Sequence, residues 1–301
     1  IDEQHRFGVH QRLALTGKGR GVHVLVMTAT PIPRTLQMTA FGDLDVSKLT
    51  EKPAGRKPIE TRAMPLERLG DVIQAIVRAT GQGDRVYWLC PLVEESEDSD
   101  LAAAEERHKA LQITLGDRVG LIHGRMKGPE RDTVMERFVA GDIDVLVATT
   151  VIEVGVDVPD ATIMVIEHAE RFGLAQLHQL RGRVGRGERP STCLLLYAQP
   201  LGETARSRIN ILRDSEDGFV IAEEDLRLRG AGELLGTRQS GFPQFRIADV
   251  IEQPDLLAAA RDDARLILSR DPELAAERGK ALRVLLYLFE RDAAVRLLRS
   301  G

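Results

Sequence analysis

Residues 143–168 read "IDVLVATTVIEVGVDVPDATIMVIEH", two apolar runs, "IDVLVATT" (143–150) and "ATIMVIEH" (161–168), around one Gly-containing loop. A strand with one wet face alternates apolar and polar residues, and these runs are too continuously apolar for that. They predict strands of a parallel sheet covered by helices on both faces. Working outward, strands are expected at 85–90, at "VGLIHG" (119–124) and at "STCLLLYA" (191–198), the last closing the sheet. Helical patterns lie between them at about Leu66–Thr80, at 101–115, and from near Pro129 to Val139, where "AGD" stops the helix. Strands alternating with helices make residues 56–200 one α/β domain.

Upstream, "VHVLVM" (22–27) reads as a buried strand, and the prolines, glycine and mixed charge of "TEKPAGRKPIE" (50–60) read as a linker. Downstream, helices are expected at 203–213 and 219–229, joined by "DSEDG", and near 254–269 and 273–299. The last carries an apolar stripe, Leu282, Leu285, Leu286 and Phe289, of the kind that packs. The expected organisation is 1–55, 56–200 and 201–301.

The 301 residues are 43% hydrophobic and 29% charged, ordinary for a soluble protein of about two domains. No run reaches the ~18 apolar residues of a membrane helix, and no export leader is present, so a cytoplasmic protein is expected. Ile rather than Met at position 1 reads as a piece of a longer chain. Cys90 and Cys193 fall in strand-like runs and read as reduced core thiols. A net charge of −5 argues against a protein that coats nucleic acid, but the charge is uneven. "EESEDSD" (94–100) is acidic, while five arginines fall between Arg171 and Arg189. A local basic groove is compatible with that total.

The candidate chemistry sits in short stretches. In "QLRGRVGRG" (179–187), Arg183 and Arg186 stand three apart at a helix end, each preceded by Gly. Such a pair can neutralise charge on a transferring γ-phosphate, although a solvated Arg-rich helix end has the same pattern. In "ATTVIEVGVDVP" (148–159), the hydroxyls of Thr149 and Thr150 can meet a backbone phosphate, and Asp157 can meet a ribose or an arginine at the carboxyl edge of the sheet. Alone, this loop reads equally as a turn with an Asx cap. "HGRM" (123–126) gives Arg125 a strand-end position suited to a phosphate. In the opening "DEQH", Asp2 can hold magnesium through water and Glu3 can take a proton from an attacking water. Each of the last three is weak by itself.

Order and spacing join them: Asp-Glu-x-His, Thr-Ala-Thr (28–30), a linker, His-Gly-Arg, Thr-Thr…Gly-x-Asp, then Gln-x-x-Gly-Arg-x-Gly-Arg. This layout resembles the superfamily 2 helicases. "DEQHRFGV", "MTATPIPRTL" and "RGRVGRG" narrow the likeness to two bacterial members, the RecG type and the transcription-repair coupling factor, and "GTRQSGFPQF" (236–245) favours the RecG type. The resemblance implies a RecA-like parallel sheet domain with a remnant of a first RecA-like domain before it and a helical region after it. It implies an ATP-driven, Mg2+-dependent translocase of double-stranded DNA that remodels forks and Holliday junctions in recombination and repair. ATP would meet Gly155, Asp157, Gln179, Arg183 and Arg186, with Asp2 and Glu3 catalytic. DNA would meet Arg125, Thr149 and Thr150. Coupling would fall to His5, Thr28, Thr30, Arg229, Arg238 and Gln239. A monomer near the nucleoid is expected, with single-stranded DNA-binding protein as a further partner and no membrane. The alternatives are the coupling-factor type and a non-catalytic DNA- or protein-binding RecA-like module. A phosphate-gripping loop would read G-x-x-x-x-G-K-[ST]. The Gly-Lys pairs Gly17-Lys18 and Gly279-Lys280 are not followed by Ser or Thr, so this chain alone is expected to be inactive as an ATPase.

Overall fold

The computed structural model describes residues 25, 27, 28, 46–51, 55–90, 97–149, 158–234 and 253–288. The chain divides into two compact units, one Ser47–Arg229, the other Ile1–Val46 with Gly230–Gly301. In the first, six parallel strands are ordered β1-β6-β5-β2-β4-β3: β1 (Ile59–Pro65), β2 (Arg85–Leu89), β3 (Val119–Ile122), β4 (Val145–Ala148), β5 (Ala161–Ile166) and β6 (Ser191–Tyr197). The helices are α1 (Leu69–Thr80), α2 (Glu97–Leu115), α3 (Gly128–Ala140), α4 (Leu174–Arg181), α5 (Glu203–Asp214) and α6 (Gly218–Leu234).

The continuous apolar strands do bury both faces. In β4, Leu146 and Ala148 join one core with Phe138 of α3, Leu177 of α4, Leu212 of α5 and Ile221 of α6. Val145 and Val147 join the other with Ile76 of α1 and Leu111 of α2. All four β4 residues are fully buried. Each buried Val or Leu among them contributes about 1.5–3 kcal/mol of transfer free energy.

One strand differs from expectation. β1 begins at the end of the predicted linker and pairs outside β6 from Ile59↔Ser191 to Pro65↔Tyr197, so β6 is internal and does not close the sheet. Its sequence, "IETRAMP", sends Glu60 and Arg62 to solvent, where they pair at 2.7 Å. Charge on an outer strand suits an edge and hides the strand from a search for apolar runs.

The amino edge of the sheet satisfies its own polar groups. Arg85 donates to the Val139 carbonyl (2.9 Å) and pairs with Asp160 (3.4 Å). Arg118 pairs with Asp144 (2.5 Å) and donates to the Gly141 carbonyl (3.3 Å). Arg189 pairs with Asp84 (2.6 Å) and donates to the Gly83 carbonyl (3.0 Å). These carbonyls lie just at or past the ends of α1 and α3, where cations meet both unsatisfied oxygens and the negative end of the helix dipole.

In the second unit, α7 (Pro254–Arg270) and α8 (Glu277–Leu288) are joined by a turn in which the Asp271 carboxylate accepts from the backbone of Ala275 (2.8 Å) and Ala276 (2.9 Å). The α8 stripe is only partly covered: Leu282 and Leu286 are half-buried, Leu285 is exposed, and Phe289 lies outside the described residues. Of "VHVLVM", only Leu25 and Met27 are described, and they are exposed and outside any strand.

Candidate functional site

The carboxyl edge behaves differently from the amino edge. Pairing of Ile122 with Ala148 sets His123 beside Thr149 at adjoining strand ends. Thr149 is 2% exposed, and its Oγ1 has no hydrogen-bond partner; nor has the buried Nδ1 of His123. A buried polar atom left unmet costs about 1–3 kcal/mol, a cost that the described residues do not offset at this edge. The His123 carbonyl accepts from the Met126 N–H (3.1 Å), forming the turn that leaves Arg125 exposed at the same edge. Of the predicted Arg125, Thr149 and Thr150, the first two therefore lie on the same edge of the sheet.

Gln179, Arg183 and Arg186 lie elsewhere. Helix α4 leaves the carboxyl end of β5 and runs back, so its end and the turn after it approach the starts of β1, β5 and β6. A Cβ on Gly187 would stand 2.7 Å from the Pro159 carbonyl, and one on Gly185 would stand 2.8 Å from Ile59. The Val184 side chain is fully buried and pins the turn between the two arginines. Arg183 is half-buried; Arg186 is exposed and donates Nε to the Gly182 carbonyl at 3.3 Å. Gly185 has φ +72°, the left-handed region. Gly182 is ordinary helical backbone with room for a methyl. Only the second of the two glycines is thus required by the fold.

The stretch of motif-bearing sequence around 150–157 joins these two places. Thr149 ends β4 at the carboxyl edge, whereas the Asp160 carbonyl accepts from Arg85 N–H (3.3 Å) at the amino edge. Thr149 and Asp160, which flank that stretch, stand at opposite rims; residues 150–157 themselves lie outside the described residues.

The five clustered arginines also separate by role. Arg189 belongs to the amino-edge pairs described above. Arg181 is 3% exposed and donates to the carbonyls of Leu212 (2.6 Å) and Ser215 (2.8 Å), with His178 Nδ1 accepting at 3.2 Å. Burial lowers its pKa, with the charges of Cys193 and Glu216 opposing. It fastens α4 to the end of α5, a role not visible in the motif. Glu167, also unforeseen, follows β5 and is 7% exposed. It accepts from Trp88 Nε1 (2.5 Å) and from Arg107 Nε and Nη2 (2.5 and 3.2 Å), with Cys90 Sγ at 4.0 Å. The Arg107 guanidinium lies 5.7 Å from the Trp88 ring centre. Burial would lower the pKa of Arg107, but the Glu167 hydrogen bond and charge raise it. Burial, then the Glu167 charge, drive the Cys90 thiol far above its ordinary value, and burial pushes Cys193 up to about 12. Both cysteines are free and buried. At Glu170, burial would raise the pKa, but bonds from His168 (2.9 Å) and Ala198 N–H (3.3 Å) hold it low.

Asp2, Glu3, His5, Thr30, Thr150, Gly155, Asp157, Arg238 and Gln239 lie outside the described residues, as does the Arg229 side chain. Thr28 is described in the other unit and is half-buried.

Residues 67–188 match the helicase conserved C-terminal domain, and residues 215–286 match ATP-dependent DNA helicase RecG, domain 3, C-terminal. The chain is 55% identical over 274 residues to the ATP-dependent DNA helicase RecG of Acidithiobacillus ferridurans, covering 91% of this chain and 40% of the relative. To RecG of Escherichia coli (strain K12) it is 54% identical over 281 residues, with the same coverage. The chain belongs to the RecG family. A solved RecG bound to a three-way DNA junction matches it with a TM-score of 0.64 and 43% identity, covering 85% of this chain and 33% of that one. The sheet with helices on both faces is the RecA-like fold of that family. The chain spans about 40% of the length of the RecG relatives named here. No described helix is long and apolar enough to cross a membrane.

Proposed function

We propose that this RecG-family chain supplies the second motor lobe (56–200) and the translocation region (201–301) of an ATP-driven double-stranded DNA translocase, with residues 1–55 belonging to the first lobe. The reading rests on the arginine turn: Arg183 and Arg186 are carried on a buried Val184 anchor in a chain 55% identical to a RecG helicase. The substrate is branched DNA, forks and Holliday junctions, in recombination and repair; a relative bound to a three-way junction supports this. The protein acts as a monomer in the bacterial cytoplasm near the nucleoid, with single-stranded DNA-binding protein as a partner.

Hydrolysis of ATP with Mg2+ supplies the free energy. Gln179, Arg183 and Arg186, with Gly155 and Asp157, face the nucleotide held mainly by the first lobe. The two guanidiniums neutralise charge that develops on the transferring phosphoryl group. Asp2 orders the magnesium water shell, and Glu3 takes the proton of the attacking water. At the carboxyl edge, Thr149 Oγ1 and His123 Nδ1 present unmet polar atoms, and Arg125, Thr149 and Thr150 follow a DNA strand through its phosphates. His5, Thr28, Thr30, Arg229, Arg238 and Gln239 carry lobe motion to the DNA.

The test is Arg186→Ala in a full-length RecG containing this chain. DNA-stimulated ATP hydrolysis should fall by roughly 10³ or more. Near-normal turnover would remove the finger role and with it this reading of the turn.

A further inference from the structure

Two segments of the first unit, the chain entering β1 and the α5–α6 loop, are tied to the arginine turn by three contacts. The first is made by the chain entering β1: Arg56 Nε donates to the Gly185 carbonyl at 3.0 Å. The second is made by Ile59, whose side chain stands where a Cβ on Gly185 would be, 2.8 Å from Cγ1. The third is made by the loop between α5 and α6, where the Glu216 carboxylate accepts from the Ile59 N–H. Arg181, on the same stretch as the turn, grips the Leu212 carbonyl in the last turn of α5 at 2.6 Å and the Ser215 carbonyl of that loop at 2.8 Å. The contacts close a ring from linker to turn to hairpin and back to linker.

The position of the Arg56 bond gives it a specific effect. The Gly185 carbonyl and the Arg186 N–H share one planar peptide unit. Holding that carbonyl fixes the plane from which Arg186 projects. Gly185 occupies the left-handed region at φ +72°, and glycine crosses between backbone basins at little cost. Without a donor on the carbonyl, this peptide can reorient and carry the Arg186 guanidinium with it. Buried contacts secure Arg181 and Val184, whereas Arg186 is exposed and its Nε reaches the Gly182 carbonyl at 3.3 Å, so this plane sets the point from which the side chain makes that reach.

We propose that Arg56 is a positioning residue for the arginine turn: the segment entering β1 aims Arg186, and Glu216 holds that segment to the α5–α6 loop. The inference rests on the proposed finger role of Arg186. It makes the linker a participant in catalysis rather than a passive tether. Arg56 is itself exposed, so its removal disturbs packing little.

The experiment uses a full-length RecG containing this chain, with Arg56→Ala, Arg56→Lys and Arg186→Ala measured side by side. Arg56→Ala should lower kcat for DNA-stimulated ATP hydrolysis about tenfold, with KM for ATP, DNA affinity and thermal midpoint unchanged, as expected when aim alone is lost. Arg56→Lys keeps a donor and should recover most of that rate. If Arg186→Ala abolishes hydrolysis while Arg56→Ala leaves it intact, the positioning role is overturned and the finger stands. A fall in kcat accompanied by a matching loss of thermal stability, unrelieved by lysine, also overturns it, because the role would then be structural. If Arg186→Ala is silent, both readings go.

Discussion

Glu167 shows what a single side chain can decide. Its carboxylate collects the indole N–H of Trp88 and two donors of Arg107 in a nearly dry place. An ion pair of this kind adds little net stability when intact, but losing one partner strands a charge. Glu167→Ala should therefore destabilise the folded chain by about 3–5 kcal/mol in urea unfolding, a large share of a typical domain's stability. Nothing in "ATIMVIEH" separates Glu167 from a solvated acid at a strand end. Arg107 is 60 residues away, in a stretch read only as helix. Arg181 gives the same lesson: two finger candidates and one buried anchor have the same residue type and adjacent positions, and only depth distinguishes them.

Among elements, those legible in the sequence were the ones with a strong period or an unbroken apolar run. β2 to β6 and helices α1, α2, α3, α5, α6 and α7 fall close to where the sequence puts them; for the strands, burial on both faces demands a run of apolar side chains. β1 was missed because an edge strand with Glu60 and Arg62 looks like linker. Of the site, the arginine turn and the Arg125–Thr149 pair were legible as motifs. Their assignment to opposite rims was not, since the direction of α4 is a tertiary fact. Within the turn, the two glycines should respond differently. Gly185→Ala forces a methyl toward Ile59 at φ +72° and should cost about 1–2 kcal/mol or more, whereas Gly182→Ala should change thermal stability by less than about 0.5 kcal/mol. Equal effects of the two, measured by thermal unfolding, would contradict this account of the turn.

For the molecule as a whole, the 301 residues contain no Gly-x-x-x-x-Gly-Lys-Ser/Thr loop to grip β- and γ-phosphates. The purified chain should therefore show no DNA-stimulated ATP hydrolysis in a phosphate-release assay, even though it carries the arginine turn. Turnover approaching that of a full-length RecG would mean that phosphates are held by other residues. The two rims differ in kind: one is closed by its own arginine–aspartate pairs, and the other combines the Arg107–Glu167 and His168–Glu170 pairs with two unmet buried atoms.

The connection from β4 to β5 lets those rims be compared as ends of a cord. Thr149 at one rim and Val158 at the other are nine peptide steps apart, which at ~3.5 Å per step allows at most about 30 Å. The two ends are separated by a four-residue strand and by the width of β2, roughly 20 Å. About 10 Å of reach is therefore spare, and chain length alone does not oblige one end to follow a displacement of a few ångströms at the other.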